Sequence, residues 1–345
     1  MKHFTHNFLE NEYFLSRHKN SFFSALTVGL CIIAACWFEL GFLASGLIIG
    51  AQSITGINRQ GAFRIRLRLS FMAVFVLSGA AVLGAVAAMG YFPFALLSAV
   101  LFAFLLGCCR QWFPLNWPDI VIPSGVIFFL NYTTPMVWMT FGGAVAGFGL
   151  ELLLGLAVYI KRYNNHKMIF APTPEKLPLP PDVPDKTILG LKEYLFTYSL
   201  ELSLVLIAGF FIIRYKIADY PHIYWIPLTA IIVLKVGRRA TLKRVFERTA
   251  GTLAGCLLGS GILYLQMGFI VESVAMVACI YLFIYYLKNN YMVAAVFITT
   301  FILLLLHEGN LPTSFLMTGE RLIFTLMGGI LATLVSLIFL KKERL

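Results

Sequence analysis

The chain has 345 residues, of which 59% are hydrophobic and only 12% charged, with a formal net charge of +11 and a mean hydropathy of +0.84. That charged share is about half of what soluble domains use to cover a core, which excludes an ordinary soluble enzyme. A basic excess would raise nucleic acid as a partner, but here the cations flank apolar runs that no nucleic-acid-binding motif interrupts, so membrane lipid is the partner implied.

Residues 1–20 are polar and carry Lys2, Arg17 and Lys19. About 20 apolar residues cross a bilayer, and the runs that follow predict membrane helices near 21–38, 40–56, 69–90, 93–109, 119–133 and 135–160. Segment 161–192 then holds Pro172, Pro174, Pro178, Pro180, Pro181 and Pro184, a density that forbids a continuous helix and favours extended polyproline structure. A second set is predicted near 194–213, 222–236, 249–267, 269–287, 290–306 and 320–340, and the chain ends in Lys341-Lys342-Glu343-Arg344. The expectation is an all-α integral membrane protein with about twelve transmembrane helices as two parallel six-helix repeats. Its parts are a first membrane half (1–160), a proline-rich cytoplasmic linker (161–192) and a second membrane half (193–345).

Charge placement gives the orientation. With the N-terminus in the cytoplasm, this reading puts all of the 27 Lys and Arg except Arg214, Lys216 and Arg321 on the inner side, as the positive-inside rule requires. Both termini are then cytoplasmic. A basic turn follows the second predicted span of each half, at Arg64, Arg66 and Arg68 and again at Arg239, Lys243 and Arg244, which suggests a repeat about an axis along the membrane normal. The six cysteines and six histidines are scattered, with no CxxC or HExxH. No metal, cofactor or disulfide is expected.

The most informative run is Tyr224-Trp225-Ile226-Pro227-Leu228-Thr229-Ala230, continuing through Lys235, Ala240-Thr241-Leu242-Lys243-Arg244 and Arg248 to Gly251-Thr252-Leu253-Ala254-Gly255. It resembles the fusaric acid resistance (FUSC) family, also called the integral membrane bound transporter domain. Arg321, Thr325, Gly328 and Ser336 look like that family's closing helix. The resemblance is specific over about 220–345 and weak over 40–160. It implies efflux of small organic acids, notably aromatic carboxylates, across a bacterial inner membrane. It also extends to the plant malate channels, which conduct anions.

Three groups of candidate residues follow. The first is an anion path formed by Lys235, Arg239, Lys243, Arg244 and Arg248 with Arg64, Arg66 and Arg68, since guanidinium grips carboxylate with two parallel bonds. Topology and contact with anionic lipid explain the same cations without substrate. The second is a broken-helix site at Trp225, Pro227 and Thr229, because interrupted segments mark transporter centres; a packing kink and an aromatic belt are the alternatives. The third is a pair of proton-coupling carboxyls, Glu151 and Glu201, placed about 13 Å and 10 Å from the inner ends of their spans by helical rise, with plain structural hydrogen bonding as the alternative. A membrane-bound assembly protein using Pro178–Pro184 as a docking segment is the reading from another class. No activated nucleophile or phosphate loop points to an enzyme, and homo-oligomerisation is left open.

Overall fold

In the computed structural model the described residues are 2–338, apart from 41–42, 56–62, 90–92, 94, 99–100, 103–116, 134, 165–187, 216–219, 221, 236, 288 and 308–310. Eleven helices are delimited among them: α1 (Lys2–Trp37), α2 (Ala44–Thr55), α3 (Phe63–Ala88), α4 (Trp117–Thr133), α5 (Val137–Asn164), α6 (Ile188–Arg214), α7 (Trp225–Val233), α8 (Arg238–Tyr264), α9 (Phe269–Tyr286), α10 (Tyr291–Leu305) and α11 (Leu311–Ile338). The apolar runs become helices because a helix satisfies every backbone group within its own segment, as a hydrocarbon surround demands.

The outer surface confirms that surround. Large apolar side chains stand exposed on several helices, among them Ile33, Phe75, Leu257, Ile270 and Ile330. A soluble surface does not display apolar groups on this scale. Two apolar clusters lie within. The larger joins residues of α3, α4, α6, α7 and α11, and the smaller joins α1, α2, α9 and α10.

The expected twelve spans are overturned, and with them the arrangement as two six-span repeats. Four helical segments among the described residues are long and apolar enough to cross a membrane: Leu69–Ala88, Phe196–Arg214, Phe269–Tyr286 and Phe315–Ile338. The other runs fall short for identifiable reasons. α2 has 12 residues, α7 has 9 and α10 has 15, and at 1.5 Å per residue none covers a hydrocarbon core of about 30 Å. α8 has 27 residues but opens with its basic run. Among the described residues the apolar stretch of α1 is Ser21–Trp37 and that of α5 is Val137–Leu150. Most of the span expected at 93–109 lies outside the described residues, as does 165–187 of the proline-rich linker; its ends, 161–164 and 188–192, belong to α5 and α6.

Close packing runs through small residues, as expected where lipid competes with helix for apolar contact. α2 packs on α5, α3 on α4, α8 on α10, and α11 on both α7 and α8. A Cβ added at Gly255 of α8 would stand 2.5 Å from the Val296 carbonyl of α10. One added at Gly328 of α11 would stand 2.5 Å from the Ile226 carbonyl of α7. Any larger residue at Gly328 would push α11 away from α7. That contact matters because α7 and α11 carry the site described next.

Candidate anion site

The site is built around α7. This helix is short, with its N-terminus entered through the turn His222-Ile223-Tyr224 and its C-terminus left at Leu234, whose ψ of 128° takes the backbone out of the helix. Pro227 is the third residue, in the first turn, where its missing N–H costs no intrahelical bond. Its ring packs against Gly209 of α6. Thr229, in the middle of α7, is fully buried and its Oγ1 has no hydrogen-bond partner among the described residues.

Beyond α7 the chain turns on Gly237, whose φ of 96° favours glycine. Thr241 fastens the turn: its hydroxyl donates to the Lys235 carbonyl at 2.7 Å and accepts from the Lys235 N–H at 3.1 Å. The basic run then climbs α8 from solvent into the core. Arg239 and Lys243 are exposed and Lys235 half-buried. Arg244 is partly buried, 3.5 Å from a Glu247 carboxylate oxygen, with its guanidinium carbon 3.3 Å from the centre of the Tyr291 ring. Arg248, one turn further, is 2% exposed and its Nε has no hydrogen-bond partner among the described residues.

Across from Arg248 stands Arg321 of α11, fully buried. Its Nε, Nη1 and Nη2 all lack a hydrogen-bond partner among the described residues. Its guanidinium carbon lies 4.7 Å over the Trp225 ring. The groups near enough to act on its charge are Arg248, Tyr224, Cys256 and Tyr291. Two buried guanidiniums near each other, with no carboxylate on them among the described residues, form a costly arrangement: a buried charge is normally paired and hydrogen-bonded. Cation–π contact with Trp225 offsets part of that cost, about 0.5–2 kcal/mol. What remains is a concentrated positive potential with donors facing inward, the chemistry that receives an anion.

The far edge of the site is His222. It stacks on Trp225 with ring centres 4.5 Å apart, and its Nδ1 lies 2.8 Å from Oε2 of Glu320. The nine residues of α7 rise about 13 Å. The basic turn at one end and His222 at the other are therefore separated by less than half a bilayer, with Arg248 and Arg321 alongside.

The expected site residues divide accordingly. Arg244, Arg248 and Trp225 come together. Arg239, Lys243 and Lys235 lie at the entrance to the same run. Arg64, Arg66 and Arg68 sit in the first turns of α3 and Glu151 in α5, but their side chains lie outside the described residues. Glu201 is buried in α6, with Oε2 lacking a hydrogen-bond partner among the described residues. Arg321, Glu320, His222 and Tyr291 were not among the expected site residues. A signal for Arg321 was present: it is an arginine inside an apolar run and one of three cations outside the inward bias. Among the described residues, no group of three His, Cys, Asp or Glu stands where it could hold a metal ion.

These features define a multi-pass helical membrane protein consistent with a transporter. Residues 204–335 match the Fusaric acid resistance protein-like family, so the chain carries a domain of that family over part of its length, and the family is transporter-like and non-catalytic. An inner membrane protein of Escherichia coli K12, YccS, is 35% identical over 137 residues, covering 39% of this chain and 18% of YccS. An uncharacterised protein of Haemophilus influenzae is 30% identical over 134 residues, 39% of this chain and 18% of its own length. An uncharacterised Synechocystis protein is 31% identical over 128 residues, 37% of this chain and 17% of its own. The matched stretch thus spans under a fifth of each relative. No solved structure matches the chain significantly.

Proposed function

We propose that the protein is a secondary exporter of small organic acids, aromatic carboxylates foremost, across the bacterial cytoplasmic membrane. The observation that carries this reading is Arg321, fully buried beside Arg248 with all three guanidinium nitrogens unpartnered among the described residues. A carboxylate at this point receives parallel charge-assisted bonds, and an attached ring meets the faces of Trp225 or Tyr291. Lys235, Arg239 and Lys243, with Arg64, Arg66 and Arg68, gather anions at the cytoplasmic mouth; Arg244 and Arg248 pass them inward. Trp225, Pro227 and Thr229 line the short helix, and Glu151 and Glu201 are the proton-coupling carboxyls. In this proposal residues 1–160 and 193–345 are two membrane halves, 161–192 is a cytoplasmic linker, and both termini face the cytoplasm. The name of the Escherichia coli relative supports the inner-membrane location.

The test is efflux of radiolabelled benzoate from preloaded proteoliposomes. The protein should accelerate release well above protein-free vesicles, and Arg321→Ala should return it to that background. Release at background by the unaltered protein, or undiminished release by the variant, overturns the reading.

A further inference from the structure

Beyond Arg248, α8 continues to Tyr264, and its polar side chains there are few and aligned. From Ala250 to Leu263 the side chains able to hydrogen-bond are Thr252, Cys256 and Ser260. Each stands four residues after the last and continues the line of Arg244 and Arg248, so neighbours along it share a face of the helix. Off this stripe, Leu253 and Leu257 are exposed, while Gly251, Gly255 and Gly259 press on α10. α11 runs alongside in the opposite direction. Its Gly329 meets Val245 near the basic end, and its Thr318 meets Cys256 and Ser260 toward the other. That register sets Arg321 level with Thr252 and Leu253. Thr252 is fully buried and its hydroxyl has no hydrogen-bond partner among the described residues; the same holds for Thr299 of α10, which packs at Gly255. A buried helical threonine ordinarily turns its hydroxyl to the carbonyl four residues back, as Thr300 of α10 and Thr325 of α11 do. Thr252 and Thr299 leave theirs idle beside an arginine whose three nitrogens also lack a partner among the described residues. The far end of the stripe is closed. The Ser260 and Thr318 hydroxyls are 3.0 Å apart, and the Cys256 thiol donates to the Thr318 carbonyl at 3.8 Å.

We propose that this stripe is the release route of the anion: Thr252 and Thr299 take the carboxylate from Arg248 and Arg321, and the Ser260–Thr318 contact is the gate that parts to let it leave. The chemistry suits the task. A bare anion does not cross hydrocarbon, and each hydroxyl offers it one donor. A hydroxyl adds no charge, so it holds the anion less tightly than a guanidinium does. A conduction path needs such sites, attractive enough to admit the ion and weak enough to release it. The twelve residues from Arg248 to Ser260 rise about 18 Å, so hydroxyls one turn apart bridge the distance from the arginines to the far end. The gate is a contact between two neutral hydroxyls, which parts more easily than an ion pair. With the basic end of α8 cytoplasmic, as in the proposed function, the stripe leads outward.

The route rests on the proposed anion binding at the arginines, and two measurements keep them apart. Equilibrium dialysis of radiolabelled benzoate against the purified full chain in detergent gives the affinity, and efflux from proteoliposomes gives kcat. Thr252→Val keeps the shape and removes an idle hydroxyl. It should bind benzoate as the unaltered protein does and lose about tenfold in kcat, the worth of one hydrogen bond to a charged group, and Thr252→Ser should restore the rate. Thr249→Val, off the stripe, should change neither quantity. For the gate, Ser260→Cys and Thr318→Cys are combined in one chain. Forming the crosslink by oxidation should stop efflux but not binding, reduction should restore efflux, and the unaltered protein should respond to neither treatment. An unchanged kcat in Thr252→Val, or a loss that Thr252→Ser shares, overturns the release route and leaves the arginine site standing. Efflux that continues through the formed crosslink overturns the gate. Failure of the unaltered protein to bind benzoate overturns the arginine site and the route with it.

Discussion

Arg244 and Arg321 are the same residue type and both lie near Tyr291, yet they sit in opposite circumstances. Arg244 is a quarter exposed, lies near Glu247 and covers Tyr291. Arg321 is sealed in the core with three nitrogens that lack a partner among the described residues. The first is what a basic surface at a membrane boundary requires, whether or not it meets substrate. The second has no explanation in topology or lipid contact, because neither solvent nor headgroup reaches it. The site therefore holds two kinds of cation, Arg244 on α8 and Arg321 on α11, and burial without a counter-ion among the described residues separates them.

Substitutions can break this distinction in order of size. Arg321→Met is expected to have the largest effect and an unusual sign. It should cut benzoate efflux about a hundredfold, as the loss of a buried charge contact to ligand does, while thermal stability rises by about 1–4 kcal/mol because an unpaired buried charge is gone. Melting in detergent read alongside flux checks both; a fall in stability would mean that Arg321 is structurally paired. Arg248→Met should follow with about a thirtyfold loss. Glu201→Gln should leave voltage-driven benzoate flux near normal and abolish accumulation driven by a pH gradient, and retained accumulation removes Glu201 from proton coupling. Trp225→Phe weakens the cation–π contact by about 1 kcal/mol and should raise KM for benzoate about fivefold with little change in kcat. Lys243→Ala, at an exposed position loosely paired with Glu247, should change flux less than about twofold at physiological salt.

The membrane-embedded helical character was legible because hydropathy reports what surrounds a segment. The number of crossings was not, since hydropathy does not report where the backbone breaks. Residues 222–236 are apolar enough to read as a span, but the turn at His222–Tyr224 and the extended Leu234 leave nine helical residues between them. The aromatic and basic stretch from Tyr224 to Arg248 was legible as a motif, and the structure brings its buried end to α11. Arg321 was visible as a letter but not as a site. One arginine in an apolar run reads as an exception to a charge bias until packing sets it against Arg248 and Trp225, 73 and 96 residues away in sequence. The His222–Glu320 contact is of the same kind: 98 residues separate the partners, and no local pattern joins them.

The most direct measurement is the structure of the protein bound to 4-iodobenzoate, with the iodine located by its anomalous signal. The carboxylate should lie within hydrogen-bonding distance of Arg321 and Arg248, and the iodinated ring against Trp225 or Tyr291. Iodine bound elsewhere, with the Arg321 guanidinium paired to a carboxylate of the protein itself, would contradict this placement.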